Sequence, residues 1–219
     1  MEYSYYSLKD ESEALIKEKG SKFIGYCGKV QSIEDADAFL QDIRSLHPKA
    51  RHHCYAWRLG HPEPVERAND DGEPSGTAGR PILGQLVKHD LTDAIVVVVR
   101  YFGGTLLGTS GLIRSYKECT EAVLQSATIV RIIMKETWEI DLEFGIVHLL
   151  EEWAPKLEFS ILERNHVADR MRYKLEITKS ESEKARSHLI ARLSESYVEE
   201  VDPEQLEYEK FIIRMTDGL

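Results

Sequence analysis

Residues 137–144 alternate strictly, with Trp138, Ile140, Leu142 and Phe144 separated by Thr137, Glu139, Asp141 and Glu143. Period two is the signature of a half-buried strand. Ile146, Leu149, Leu150 and Trp153 then follow helical spacing, which Pro155 stops. Alternation returns at Leu157, Phe159 and Ile161, and again at Met171, Tyr173, Leu175 and Ile177. Ser180 and Glu183 read as a capping box. The helix it opens carries Ala185, Leu189 and Leu193, and a last strand is expected near Glu207–Arg214. The order is β-α-β-β-α-β, the ferredoxin-like arrangement, with both helices on one face of an antiparallel sheet.

The first part of the chain is also α+β but less regular. Strands are expected near Glu2–Leu8, Glu13–Lys19, Lys22–Val30 and His53–Leu59. Ser32 and Asp35 resemble a capping box before a helix that carries Ala36, Phe39, Leu40 and Ile43 and ends ahead of Pro48. The polar stretch 60–76, with Pro62, Pro64 and Pro74, reads as a long loop. Pro81 suits the first turn of a helix carrying Ile82, Leu83, Leu86 and Val87. Ala94–Tyr101 is a central strand, and Ser110 is expected to cap a helix through Leu112, Ile113, Tyr116 and Val123. Two domains follow, residues 1–133 and 134–219, without a low-complexity linker.

A chain of 219 residues can hold two small domains. No apolar run approaches the roughly 18 residues of a membrane span. The N-terminus lacks a basic region followed by an apolar one, so no signal peptide and no membrane partner are expected. Three cysteines, Cys27, Cys54 and Cys119, form no CxxC and point to a reducing, cytoplasmic setting. Net charge is −10, and nearly all of it falls after residue 135, where 20 acidic residues face 11 basic ones. A phosphate-bearing partner would therefore meet the first domain.

Eight of the 14 glycines lie between Gly72 and Gly111, seven of them in the segments DDGEPSGTAGRPIL and VVVRYFGGTLLGTSGLIRSY. Each segment puts a glycine-rich turn ahead of a helix, where backbone N–H groups favour anions. Ser75, Gly76, Thr77 and Gly79 belong to the first turn, and Gly103, Gly104, Gly108 and Ser110 to the second. Arg80, Arg100 and Arg114 accompany them, with Arg51 upstream. Arginine suits bidentate binding of phosphate or carboxylate. His52 and His53 sit side by side on a strand and so face opposite ways. Asp71 completes the candidate set. The opposite expectation is architectural: the glycines allow tight packing, and the arginines pair with Asp70, Asp71 and Glu73.

Known catalytic signatures are missing. Neither GxxxxGK[ST] nor GxGxxG occurs, and Ser75 does not lie in a GxSxG elbow. A Ser75–His52–Asp70 triad, or Mg²⁺ held by Asp70, Asp71 and Glu73, rests on residue type alone. No catalytic residue, metal ligand or cofactor is assigned.

SKFIGY (Ser21–Tyr26), RHHCYAW (Arg51–Trp57) and the two glycine segments together resemble the IMPACT family, in its bacterial YigZ-like branch. The resemblance covers roughly residues 15–125. It implies a ribosomal protein S5 domain 2-like fold followed by a ferredoxin-like domain, an order similar to domains four and five of translocation factor EF-G. Eukaryotic members are regulators of translation that bind a protein partner and carry an RWD domain, which is not expected ahead of Ser21. The family implies no settled activity for bacterial members. A loose likeness of LLGTSGLIRS to the phosphate loop of GHMP kinases lacks the serine pair. The expected function is a translation-linked binding protein whose first domain meets RNA, the ribosome or an acidic regulatory protein, with DNA a poor fit. The alternative is an enzyme acting on a phosphorylated or acidic small molecule.

Overall fold

A computed structural model describes residues 3–216, so the expected strand start at Glu2 lies outside the described residues. The chain is α+β and divides into two compact units between residues 132 and 133. The first unit is built on a five-stranded sheet. Its strands are β2 (Ser12–Glu18), β3 (Ser21–Lys29), β4 (His52–Leu59), β5 (Val65–Asn69) and β6 (Ala94–Tyr101). Their order is β2-β3-β6-β4-β5, with every neighbouring pair antiparallel.

The central strand β6 is buried on both faces, which explains its unbroken run Ala94–Val99. Val96 and Val98 pack with Phe23, Cys54 and Ala56 under helices α2 (Gly79–Lys88) and α3 (Gly108–Ser126). Ile95, Val97 and Val99 pack with Tyr55 and Trp57 against α1 (Ile33–Leu46) on the other face. The expected box opens α1: the Asp35 N–H donates to Ser32 Oγ at 3.0 Å, and Asp35 accepts from the Gln31 N–H at 3.0 Å.

Two strands were not legible. β5 lies inside the expected loop; its residues are all exposed, so it carries no apolar period. The expected boundary region contains β7 (Ile129–Ile133), which pairs with β1 (Ser4–Leu8) in a separate two-stranded sheet. Backbone pairing with an edge, rather than burial, makes both of them strands.

The second unit comprises β8 (Lys135–Glu143), α4 (Val147–Lys156), β9 (Ser160–Val167), β10 (Arg170–Thr178), α5 (Ser182–Leu193) and β11 (Phe211–Thr216). The sheet order β11-β8-β10-β9 realises the expected β-α-β-β-α-β pattern. Trp138, Ile140, Leu142, Tyr173, Leu175 and Ile177 face one core with Leu150 of α4 and Leu189 of α5. Three details differ from expectation. No side chain caps α5, so the Ser180–Glu183 box does not form. β9 begins at Ser160 because Glu158, at φ 65°, breaks the extended run. β11 begins at Phe211, and Glu207 forms only an isolated bridge to Ile212.

On the sheet face away from the helices, Asp141 is a fork for three strands. Arg172 of β10 donates at 2.6 and 2.9 Å and Arg214 of β11 at 2.7 Å. The Arg172 hydrogen bond is the chief cause that holds the Asp141 carboxyl down at about 2, with Arg214 assisting against burial. A carboxyl depressed by folding stabilises the fold above its ordinary range and loses that contribution as pH falls through its folded value. Asp141→Asn is therefore expected to cost about 1–3 kcal/mol at neutral pH. Urea unfolding of both proteins should show this gap narrowing between pH 4 and pH 2 (from 3.8 toward about 2). A gap that is constant with pH would contradict the assignment.

Candidate functional site

The first glycine segment folds onto itself. The Asp70 carboxylate accepts the N–H groups of Gly76 at 2.8 Å, Ala78 at 3.0 Å and Gly79 at 2.8 Å. Burial pushes the Asp70 carboxyl up, but these N–H groups and the charge of Arg80 outweigh it and leave it below its ordinary value. The N-terminus of α2 thus receives its anion from its own chain. This corrects the expectation of an open anion site there. Gly79 is packed instead: a Cβ on it would lie 2.6 Å from the Asn69 nitrogen. Thr77 is buried and donates to the Pro74 carbonyl at 2.6 Å, whereas Ser75 is exposed.

Asp71 turns the chain at φ 42° and accepts the His53 N–H at 2.6 Å. The His52 Nδ1–H donates to the Asp71 carbonyl at 2.8 Å, which leaves Nε2 as its other nitrogen. His53 points to the opposite sheet face, where burial lowers its pKa against the attraction of Asp71. Glu73 reaches inward to Arg100. The two are buried and 2.6 Å apart, and the Tyr116 hydroxyl donates to the same oxygen at 2.8 Å. Cys54 Sγ lies 3.3 Å from that hydroxyl and 3.0 Å from the Asp70 carbonyl, and burial pushes its thiol pKa up. Cys54 is a packed, inert thiol.

The second glycine segment divides between packing and open space. A Cβ on Gly103 would lie 1.9 Å from the Gly20 carbonyl carbon, so Gly103 seats the turn between β2 and β3. A Cβ on Gly104 (φ 87°) or Gly108 (φ 68°) would meet no atom within 4 Å. Helix α3 starts at Gly108 and has no side-chain cap; Ser110 lies within its first turn, not before it. This corrects its expected capping role. Arg114 is exposed and pairs with Glu18 at 3.0 Å and Glu118 at 3.8 Å. Arg80 is exposed as well. The three arginines therefore do not share one acidic loop: of the three, only Arg100 has a described ion pair within Asp70–Glu73, where Arg44 also pairs with Asp71 at 3.5 Å.

What the fold does bring together is a groove of about 680 Å³ at one end of the central sheet. The turn between α1 and β4 contributes Lys49 and Arg51, β4 contributes His52, and β6 contributes Arg100 and Tyr101. The loop before α3 adds Phe102 and Leu106. His52 and Arg100 are register partners on adjacent strands. Among the described residues that line the groove, none is acidic. Phe102 is 56% exposed and Leu106 84% exposed. Lys49, Tyr101, Phe102 and Leu106 were not singled out from the sequence. Their available signal was position: Lys49 is two residues before Arg51, and the YF pair follows a wholly apolar strand. Among the described residues, no group of three or more His, Cys, Asp or Glu could hold a metal, and no helix is long and apolar enough to cross a membrane.

The class is that of a mixed sheet-and-helix unit with two glycine turns ahead of helices, the first of which closes on its own Asp70. Residues 19–124 match the Impact N-terminal domain. IMPACT family member YvyE of Bacillus subtilis is 36% identical over 176 residues, 79% of this chain and 76% of that protein. IMPACT family member YigZ of Escherichia coli is 44% identical over 115 residues, 52% of this chain and 56% of that protein. A crystal structure described as that of a hypothetical protein aligns with TM-score 0.67 and 29% identity, over 89% of this chain and 95% of that one. The chain belongs to the IMPACT family.

The buried pair and the exposed arginine make opposite predictions. Glu73→Ala leaves Arg100 buried and unpaired, and is expected to cost about 3–5 kcal/mol. Arg114→Ala removes an exposed pair and should cost less than about 1 kcal/mol. Urea midpoints of the two variants decide this, and similar losses in both would refute the distinction.

Proposed function

We propose that this chain is a translation-linked binding protein whose first unit receives an anionic partner in the basic groove. One observation carries the reading. Two stretches far apart in sequence, 49–52 and 100–106, converge to put Lys49, Arg51, His52 and Arg100 around one groove with no acidic residue described among them. Membership of a family whose eukaryotic members regulate translation supports the link to translation. The engagement of nearby polar groups favours binding over catalysis: His52 is committed to the Asp71 carbonyl and Arg100 to Glu73. The net charge of −10 makes the groove a local exception on an acidic molecule, which favours a partner held at one place over general polyanion coating. Three free, buried cysteines fit a reducing compartment, the cytoplasm.

Lys49 and Arg51 are both exposed, so their removal leaves the core intact. The Lys49→Ala, Arg51→Ala double variant is expected to lose most of its co-sedimentation with ribosomes and its binding to inorganic polyphosphate at low salt. For an extended strand, the slope of log K against log salt should become shallower by about 0.7 for each phosphate that is no longer neutralised. Equal binding and an equal slope in the wild-type and double-variant proteins would remove the groove as the site.

A further inference from the structure

The groove combines two chemistries, and charge explains only one of them. Phe102 stands on its rim more than half exposed, although burial of such a ring would be favourable. The Arg100 guanidinium lies 5.7 Å from the Phe102 ring centroid and 5.4 Å from that of Phe23, so it stacks between an exposed and a buried aromatic. Glu73 accepts only from its Nη1, and Nε is buried without a hydrogen-bond partner among the described residues. An arginine held from behind thus backs an aromatic platform, while Lys49 and Arg51 stand on the neighbouring turn. Tyr101 also lines the groove, with its hydroxyl 3.0 Å from His47 Nδ1, and Leu106 adds an apolar edge.

An acidic protein surface would use the cations but would leave the exposed ring without a role. A duplex presents phosphates but keeps its bases stacked inside. A single strand of nucleic acid uses both, because each unstacked base offers a flat face and each linkage a charge. We propose that the groove holds a short stretch of single-stranded RNA, with a base stacked on Phe102 and flanking phosphates at Lys49 and Arg51. This rests on the reading above that the groove takes an anionic partner. The described lining holds no Asn, Gln, Asp or Glu, and with Lys49 and Arg51 assigned to phosphates and Arg100 to Glu73, binding by stacking is sequence-tolerant.

The test uses the full chain and four probes: a labelled single-stranded oligoribonucleotide, its deoxy counterpart, the RNA duplex and inorganic polyphosphate. Fluorescence anisotropy, with polyphosphate as competitor, gives the affinities. Phe102→Ala is expected to weaken the single-stranded RNA about 5- to 100-fold, while polyphosphate changes less than about twofold. Phe102→Trp should restore the RNA affinity. Uridine-rich and adenosine-rich strands should differ little. Duplex binding as tight as the single strand, or a preference for the deoxy strand alone, would overturn the proposal. So would a Phe102→Ala variant with unchanged RNA affinity. In that last case, polyphosphate binding that still depends on Lys49 and Arg51 leaves the anion-binding reading standing. Failure of all four probes to bind the wild-type protein sinks both.

Discussion

The first unit depends on a buried ion pair. Arg100 is the single charged residue of the most buried strand, and it is only 7% exposed. Such a position is tolerable only because Glu73 meets it at 2.6 Å and Tyr116 completes the oxygen's hydrogen bonds. Glu73 can reach there only because Asp70 draws the following turn onto the start of α2. The sheet, the acidic loop, α2 and α3 are therefore joined at one point. The wall of the groove is the far side of that junction, so the arginine that shapes the binding surface is held by the core.

The legible parts of the fold are those where burial writes a period. The helix Ile33–Leu46 has its apolar stripe and its Ser32 cap, and the strand Ala94–Tyr101 has its continuous apolar run. In the second unit, Trp138, Ile140 and Leu142 alternate with residues of the open face, and the topology follows from them. The strands Val65–Asn69 and Ile129–Ile133 leave no such mark, because backbone ladders at exposed edges make no demand on side-chain polarity. The site was legible in composition but not in connection. A carboxylate capping N–H groups six to nine residues further on obeys no helix-start rule, so Asp70 could not be told from a solvated acid. Likewise nothing in the order of residues says that Glu73, and not Asp70 or Asp71, pairs with Arg100.

Charge is handled differently in the two units. The second unit carries the acidic excess but spends part of it within the sheet, where Asp141 binds Arg172 and Arg214 and Glu176 binds Lys135. Cross-strand pairs of this kind fix register as well as adding stability. The first unit is close to neutral, and the acids of its first glycine segment are committed within the fold: Asp70 to backbone N–H groups, Asp71 to the His53 N–H, Glu73 to Arg100. What this leaves at the end of the sheet is uncompensated positive charge. A basic groove on an acidic protein thus arises from where carboxylates are committed, not from an excess of arginine and lysine.

The same logic separates architecture from function within the glycine segments. Gly79 and Gly103 are glycine because backbone fills the place of a Cβ, at 2.6 and 1.9 Å. Gly104 and Gly108 meet open space, and what they require is only a positive φ, which bends the loop between Phe102 and α3. That bend carries Phe102 and Leu106 out beside the groove instead of back into the core. The long motifs of the first unit, then, spend most of their chemistry on one another. The residues left free to meet a partner stand at their margins: Lys49 and Arg51 before the strand that bears His52, and Phe102 just after the strand that bears Arg100. A ligand there would touch the edge of the motif and depend on its centre only through the Arg100 guanidinium.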